Sequence, residues 1–227
     1  MPVSARGIYR LTVLGVIVAC VIVSWVTLAR RAEGHPQKPG PRPAFQLPFP
    51  CGESWSLTTY AGHDDYDIDF FYNGGPSGGR AVLASADGTV AWAGWQATLE
   101  GGAPAAPGTV GTRGGLGFGV IINHGGGWFT SYGHLQTWPE VKQGQVVPRG
   151  RLLGHVGKTG STSIEHLHYE QHDDTRDPRH TRGNADKVES VFDGVPSGIT
   201  SDGSAGTGPL RTAGPVSPPQ NRTSRNC

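Results

Sequence analysis

Over residues 55–171 the apolar positions come in short runs cut by glycine, as in 81–95 (AVLASADGTVAWAGW), 117–135 (GFGVIINHGGGWFTSYGHL) and 151–157 (RLLGHVG). Alternation of this kind sends successive side chains to opposite faces of an extended chain, so these stretches predict strands and hairpins. The turn residues lie between them. NHGGGWF gives a glycine-rich turn between two alternating segments, and SADGTV offers an Asp-Gly turn of the hairpin kind. Residues 96–115, rich in glycine and alanine, predict a surface loop.

Outside that block the pattern changes. Residues 11–29 (LTVLGVIVACVIVSWVTLA) carry no charge and are flanked by Arg6 and Arg10 before and by Arg30 and Arg31 after. This is a membrane-engaging segment, either an uncleaved signal-anchor helix or a signal peptide, and in both cases the remainder of the chain is exported. Residues 30–50 hold six prolines with almost no apolar periodicity and predict an extended spacer. The expected organisation is a short basic N-terminus (1–10), the hydrophobic segment (11–29), a Pro-rich linker (30–50), a mainly β domain (51–195) and an irregular Gly/Pro/Ser-rich tail (196–227) ending in Cys227.

Composition supports turn-rich β structure: 36 glycines and 18 prolines stand against one methionine, and runs of strong helix formers are missing. The formal charge of +1 leaves no polyelectrolyte footprint, and no basic-aromatic interleaving is present, so nucleic acid is not an expected partner.

The candidate chemistry lies in polar residues that interrupt the strands. In STSIEHLHYE, His166 and His168 are two apart and share one face of a strand, while Leu167 and Tyr169 point to the other. The plainer reading is the wet face of an amphipathic strand. AGHDDYDIDFF places His63 just before a strand on which Asp67 and Asp69 share a face, and SYGHL ends a strand with His134. Four histidines and an acidic pair, each beside apolar anchors, suit a zinc held by three protein ligands with the fourth position open.

In the order of these landmarks, residues 55–171 resemble the lysostaphin-like zinc endopeptidases of bacterial cell walls. A His then Asp near the start, AVLASADGTV, GFGVIINHGGGWFTSYGHL, VKQGQVVPRGRLLGHVGKTGST and the His-x-His of EHLHYE follow one another in that family's order. The resemblance implies an antiparallel sheet or half-barrel with an open groove, one Zn2+ per domain, and peptidoglycan peptides as substrate. Carried over residue by residue, it implies His63, Asp69 and His168 as metal ligands and His134 and His166 as the catalytic pair. A His-x-x-x-Asp spacing from His63 would instead select Asp67, while the Asp-Phe followed by NGGPSGG looks like the beta-lytic branch and selects Asp69; the other carboxylate then orients a ligand histidine. The implied chemistry is metal-assisted hydrolysis, with one of His134 and His166 accepting the water's proton and the other steadying the oxyanion. A catalytically silent domain that binds peptidoglycan or regulates another hydrolase is the alternative function.

The other motifs receive ordinary readings. His124 is expected to be a turn residue and His155 an exposed strand residue, while His35, His172 and His180 lie in linker or loop composition and carry no role. NGGPSGGR and GLGFG lack the Gly-Lys-Ser/Thr ending of a phosphate loop and are read as turns, and NRT at Asn221 is too short a pattern to carry a glycosylation site. Cys20 sits in the hydrophobic segment, which leaves Cys51 and Cys227 as an even, exported pair expected to be bonded. The protein is expected to act as a monomer at the membrane or in the cell wall.

Overall fold

The alternating pattern of the sequence becomes strands almost throughout. A computed structural model describes residues 40–60, 63, 66–96, 115–174, 186–199 and 220–227. The hydrophobic segment 11–29, residues 97–114 of the expected loop, and His35 and His180 lie outside the described residues. Among the described residues no helix is long and apolar enough to cross a membrane.

Among the described residues there are thirteen strands: β1 (Ser54–Thr58), β2 (Ile68–Tyr72), β3 (Ala81–Leu83), β4 (Gly88–Gln96), β5 (Gly117–Gly125), β6 (Trp128–Leu135), β7 (Val146–Val147), β8 (Leu152–His155), β9 (Leu167–Asp173), β10 (Lys187–Val188), β11 (Val191–Phe192), β12 (Val195–Pro196) and β13 (Gln220–Thr223). Nine of them form one sheet in the order β13-β1-β2-β9-β6-β5-β4-β7, with β10 added alongside β9. The pairs β3–β8 and β11–β12 form two small sheets. The protein is mainly β and antiparallel, as the sequence predicts.

The core is a single cluster on one face of the large sheet. Tyr132 and Tyr169, cross-strand partners on β6 and β9, are fully buried there with Leu57, Ile68, Phe70, Val120, Ile122 and Leu167, and the small β3–β8 sheet adds Val82 and Leu153. Burying each such side chain contributes roughly 1.5–3 kcal/mol.

Three expectations need correction. Residues 40–50 do not form a spacer throughout: Phe45, Leu47 and Phe49 are buried in the core, and Phe49 stacks on Trp55 with ring centroids 3.6 Å apart. Six prolines hide the period-2 spacing of those three apolar residues, which is a strand-like signal without the hydrogen-bond ladder. The tail is likewise not irregular at its end, because β13 pairs with β1 in the register Ser54↔Thr223. The Asp87-Gly88 step makes no hairpin, since β3 pairs with β8 and β4 with β5 and β7. Gly88 is needed for a different reason: a Cβ there would lie 2.5 Å from Ile122 and 2.6 Å from the Asn123 carbonyl oxygen. The NHGGGWF turn behaves as expected, with Gly125 at the end of β5 and Gly126 and Gly127 before β6 all at positive φ.

Strand β13 leads into a closure of the domain. Pro50 bridges to Asn226, Ser224 Oγ donates to the Phe49 carbonyl, and the Cα atoms of Cys51 and Cys227 are 4.9 Å apart with their sulfurs in bonding contact.

Candidate metal centre

The opposite face of the same sheet carries the polar residues. Strand β9 alternates Leu167, Tyr169 and Gln171 toward the core with His168, Glu170 and His172 away from it. Register then brings the distant parts of the site together: β2 pairs with β9 so that Asp69 stands opposite His168, and β6 pairs with β9 so that Gly133 stands opposite His168. Gly133 leaves room beside that histidine, for a Cβ there would meet Leu116 at 2.8 Å and His168 Cβ at 3.4 Å.

One oxygen is the focus of the arrangement. Oδ1 of Asp69 lies 3.7 Å from Nε2 of His63, 3.2 Å from Nε2 of His166 and 3.2 Å from Nδ1 of His168. All four side chains are buried. Aromatic neighbours fix the rings: Tyr60 stacks on His63 at 4.4 Å, and Phe71, two residues from Asp69 on the same face of β2, stacks on His166 at 5.5 Å.

His134 closes the group from β6. Its φ of 61° interrupts the extended conformation one residue before the end of β6, and its Nδ1 donates to the Thr159 carbonyl at 2.7 Å. His166 Nδ1 likewise donates to the Ile164 carbonyl at 3.1 Å. Both rings therefore present Nε2 to the site. Their centroids are 4.8 Å apart, and that of His134 is 5.5 Å from that of His168.

The surroundings set opposite charge preferences. Burial pushes His134 down to about 3, helped by repulsion from His168 and His166, so its imidazole is neutral near pH 7. Burial also opposes ionisation of Asp69, but the imidazoles of His166 and His168 beside it hold its carboxyl well below the usual range. His168 is raised well above an ordinary histidine: burial works against its charge, and Asp67, Asp69 and Glu170 overcome that. Asp67 is pushed up to about 7 by burial and by repulsion from Glu170.

Among the described residues, three groups of side chains bring possible ligand atoms within 4.8 Å of one another: His63, Asp69 and His168; His134, His166 and His168; and Asp67, His168 and Glu170. The first is the set expected from the sequence. A tetrahedral zinc with bonds of about 2.1 Å separates its ligand atoms by about 3.4 Å, close to the 3.2 and 3.7 Å observed from Asp69 Oδ1 to the two ring nitrogens. Two imidazole nitrogens and one carboxylate oxygen, with no cysteine, make the donor chemistry of an open site rather than a closed structural one. The residues fit the metal.

Asp67 is engaged elsewhere. Nζ of Lys187 lies 2.7 and 2.8 Å from its two oxygens and 2.9 Å from Oε1 of Glu170. His172, read from the sequence as a loop residue without a role, is instead fully buried on β9, with Nε2 2.8 Å from Glu170 and Nδ1 3.2 Å from Asp186. Its place in HLHYEQH, two residues beyond Glu170 at the strand period, was the available signal; Asp186 and Lys187 had none.

Ser131 lies 3.1 Å from the same Nε2, so Ser131, His172 and Asp186 fall in the order of a nucleophilic triad. They cannot act as one. All three are buried, Glu170 faces Nε2, and His172 is raised to about 9 because hydrogen bonds to Asp186 and Glu170 outweigh its burial. His124 also differs from expectation: it lies on β5, half-buried, with Nδ1 donating to the Asp87 carbonyl at 2.7 Å and Nε2 2.8 Å from the Thr130 hydroxyl.

Comparison with known proteins gives the chain's family. Over 92 residues the chain is 40% identical to the cell division protein DipM of Caulobacter vibrioides, matching 40% of this chain and 12% of that protein. Over 51 residues it is 47% identical to the peptidoglycan DD-endopeptidase ShyA of Vibrio cholerae, matching 22% of this chain and 12% of that protein. The chain thus spans about an eighth of the length of either relative. The catalytic domain of the antimicrobial peptidase lysostaphin from Staphylococcus simulans aligns over 54% of this chain and 73% of its own, at 25% identity and a TM-score of 0.39. The sequence profile of peptidase family M23 matches residues 66–179, half of the 227-residue chain, and this protein belongs to that family.

Proposed function

We propose that this chain is an exported zinc endopeptidase that hydrolyses peptide bonds in peptidoglycan. The observation that carries the reading is the convergence of His63, Asp69 and His168 within 4.8 Å, with the Nε2 atoms of His134 and His166 turned toward the same place. Membership of a peptidase family and a relative named for peptidoglycan endopeptidase activity support it.

His63 through Nε2, Asp69 through a carboxylate oxygen and His168 through Nδ1 would hold the metal. Bound there, zinc supplies Lewis-acid polarisation of a carbonyl and lowers the pKa of water toward ~7. The chain's own residues do the rest. His134 and His166 have their Nδ1 protons committed to backbone carbonyls, so each offers Nε2 as an acceptor at the site. One accepts the proton of the attacking water at Nε2 and passes that same proton to the leaving amine, while the other, carrying a proton taken up from solvent, steadies the oxyanion and keeps it. The positive φ of His134 and the stacking of Phe71 on His166 hold the two rings ready before substrate arrives. Asp67 serves as a supporting carboxylate rather than a ligand, because Lys187 occupies both of its oxygens.

Export rests on the uncharged segment 11–29 with its flanking arginines, and on the closure at Cys51 and Cys227, which is a disulfide in an oxidising compartment. The protein acts outside the cytoplasm as a monomer, anchored or secreted.

The test is digestion of purified peptidoglycan by the full chain loaded with zinc, with fragment masses identifying the bond cut. His134→Ala and His166→Ala should each keep zinc and lose turnover by about 10²-fold or more. If the intact, zinc-loaded protein releases nothing from any cross-link, the silent peptidoglycan-binding reading replaces the enzyme.

A further inference from the structure

Behind His168 the sheet buries a second charge cluster. Glu170 is the hub. Its Oε1 lies 3.2 Å from Nε2 of His168 and 2.9 Å from Nζ of Lys187, and its Oε2 lies 2.8 Å from Nε2 of His172. Lys187 reaches this place because β10 pairs with β9 in the register Lys187↔His172, and its ammonium also spans both oxygens of Asp67. Lys187 is 5% exposed. A buried ammonium is retained only where carboxylates surround it, and those carboxylates are likewise held in place by it.

The cluster decides how His168 is turned. An imidazole can present either nitrogen to a metal, and the hydrogen bond made by the other nitrogen selects which. Here Nδ1 faces Asp69 and Nε2 faces Glu170. Glu170 could also swing toward its other neighbours, and Lys187 and His172 fix it against that. Lys187 lies beyond residues 66–179, so this support comes from outside the segment that defines the family.

We propose that Glu170, clamped by Lys187, is a positioning residue of the metal centre: it accepts the Nε2 proton of His168 and so commits Nδ1 to the metal beside Asp69 and His63. The proposal rests on the reading of those three residues as ligands.

The experiment is a double-variant cycle on the full chain. Zinc affinity is measured by competition with a chromophoric chelator, and ligand geometry by the absorption of the cobalt-substituted protein. Lys187→Met and Glu170→Gln should each weaken zinc by roughly 10- to 100-fold and change the cobalt spectrum. Because Lys187 acts through Glu170, the double variant should bind zinc within about twofold of Glu170→Gln alone. Fully additive losses overturn the proposal. So does a lowered melting temperature with zinc affinity and cobalt spectrum of the folded protein unchanged, which would mark the cluster as support for the fold only. If Lys187→Met does not fold, Glu170→Gln decides: wild-type affinity and spectrum overturn the proposal, and weakened, altered binding upholds it. A wild-type chain that takes up no zinc removes the ligand reading itself, a result distinct from wild-type binding that the variants leave untouched.

Discussion

The two faces of strand β9 alternate residue by residue along one short stretch of chain, yet they are buried for opposite reasons. Leu167 and Tyr169 leave water to join Phe70, Tyr132 and Phe192, and their burial stabilises directly. His168, Glu170 and His172 are also buried, but each is a charged or chargeable group that costs free energy unless a partner faces it. Glu170 faces both histidines within β9, and the other partners come from neighbouring strands or their flanks: Asp69 and Asp67 from β2, Lys187 and Asp186 from β10. One face therefore supplies stability, and the other spends some of it to hold a constellation that can bind a cation.

The sharpest way to break this comparison is to damage one face and read both. Asp69→Ala should leave no bound zinc after dialysis while the far-ultraviolet spectrum of a β protein persists. Trp55→Ala should cost about 3–5 kcal/mol of unfolding free energy, since Trp55 is fully buried against Phe49, yet still bind one zinc while folded. An unfolded Asp69→Ala, or a folded Trp55→Ala without zinc, would show that the faces do not divide the work in this way.

The closure at Cys51 and Cys227 tests the stabilising side next. Cys227→Ser should lower stability by about 2–5 kcal/mol, the upper end following from the long loop of 176 residues. Peptide mapping without reductant checks the bond, and chemical denaturation of the two proteins checks its size; unchanged stability would mean that β13 and the buried Asn226 close the domain unaided.

A smaller effect comes from His124, far from the ligands along the sheet. Burial holds its pKa down to about 4 from 6.5, with the Asp87 carbonyl only partly opposing. The unfolded chain thus binds a proton that the folded chain refuses, so stability is full above pH ~6.5 and falls as pH drops toward ~4. At pH 5 the loss is about 2 kcal/mol. His124→Gln should flatten that part of the acid limb in denaturation curves measured from pH 7 to 4, and an unchanged slope would assign the limb to other groups.

Local pattern carried much of this protein into view. Alternation marked the strands, and the spacing of His166 and His168 announced a shared face before any pairing was known. Asp67 and Asp69 could not be separated by sequence, because both sit on one face of the same extended segment; only Lys187, 120 residues further on, distinguishes their surroundings. The same distance hid the rest of the cluster. Nothing in NADKVES sets Asp186 and Lys187 apart from surface charges until β10 lies against β9. In AFQLPFP the apolar spacing of Phe45, Leu47 and Phe49 was legible, but prolines outweighed it. For QNRT no local signal existed, since those side chains are half or fully exposed and the strand is defined by its partner alone.

That partner is worth following in time. Ser54 of β1 meets Thr223 of β13 across most of the chain's length, and β2 meets β9 with Asp69 opposite His168, about a hundred residues apart. Loops this long slow the search for contacts. Until residues 220–223 arrive, β1 displays a row of unpaired backbone groups, the kind of edge on which another molecule can add a strand. The hazard is greatest for a chain delivered N-terminus first, whose β1 must wait for nearly everything else. The protein's most dangerous interval is thus the delay between the appearance of β1 and its capping, and conditions that lengthen that delay should raise aggregation without any change in the stability of the finished fold.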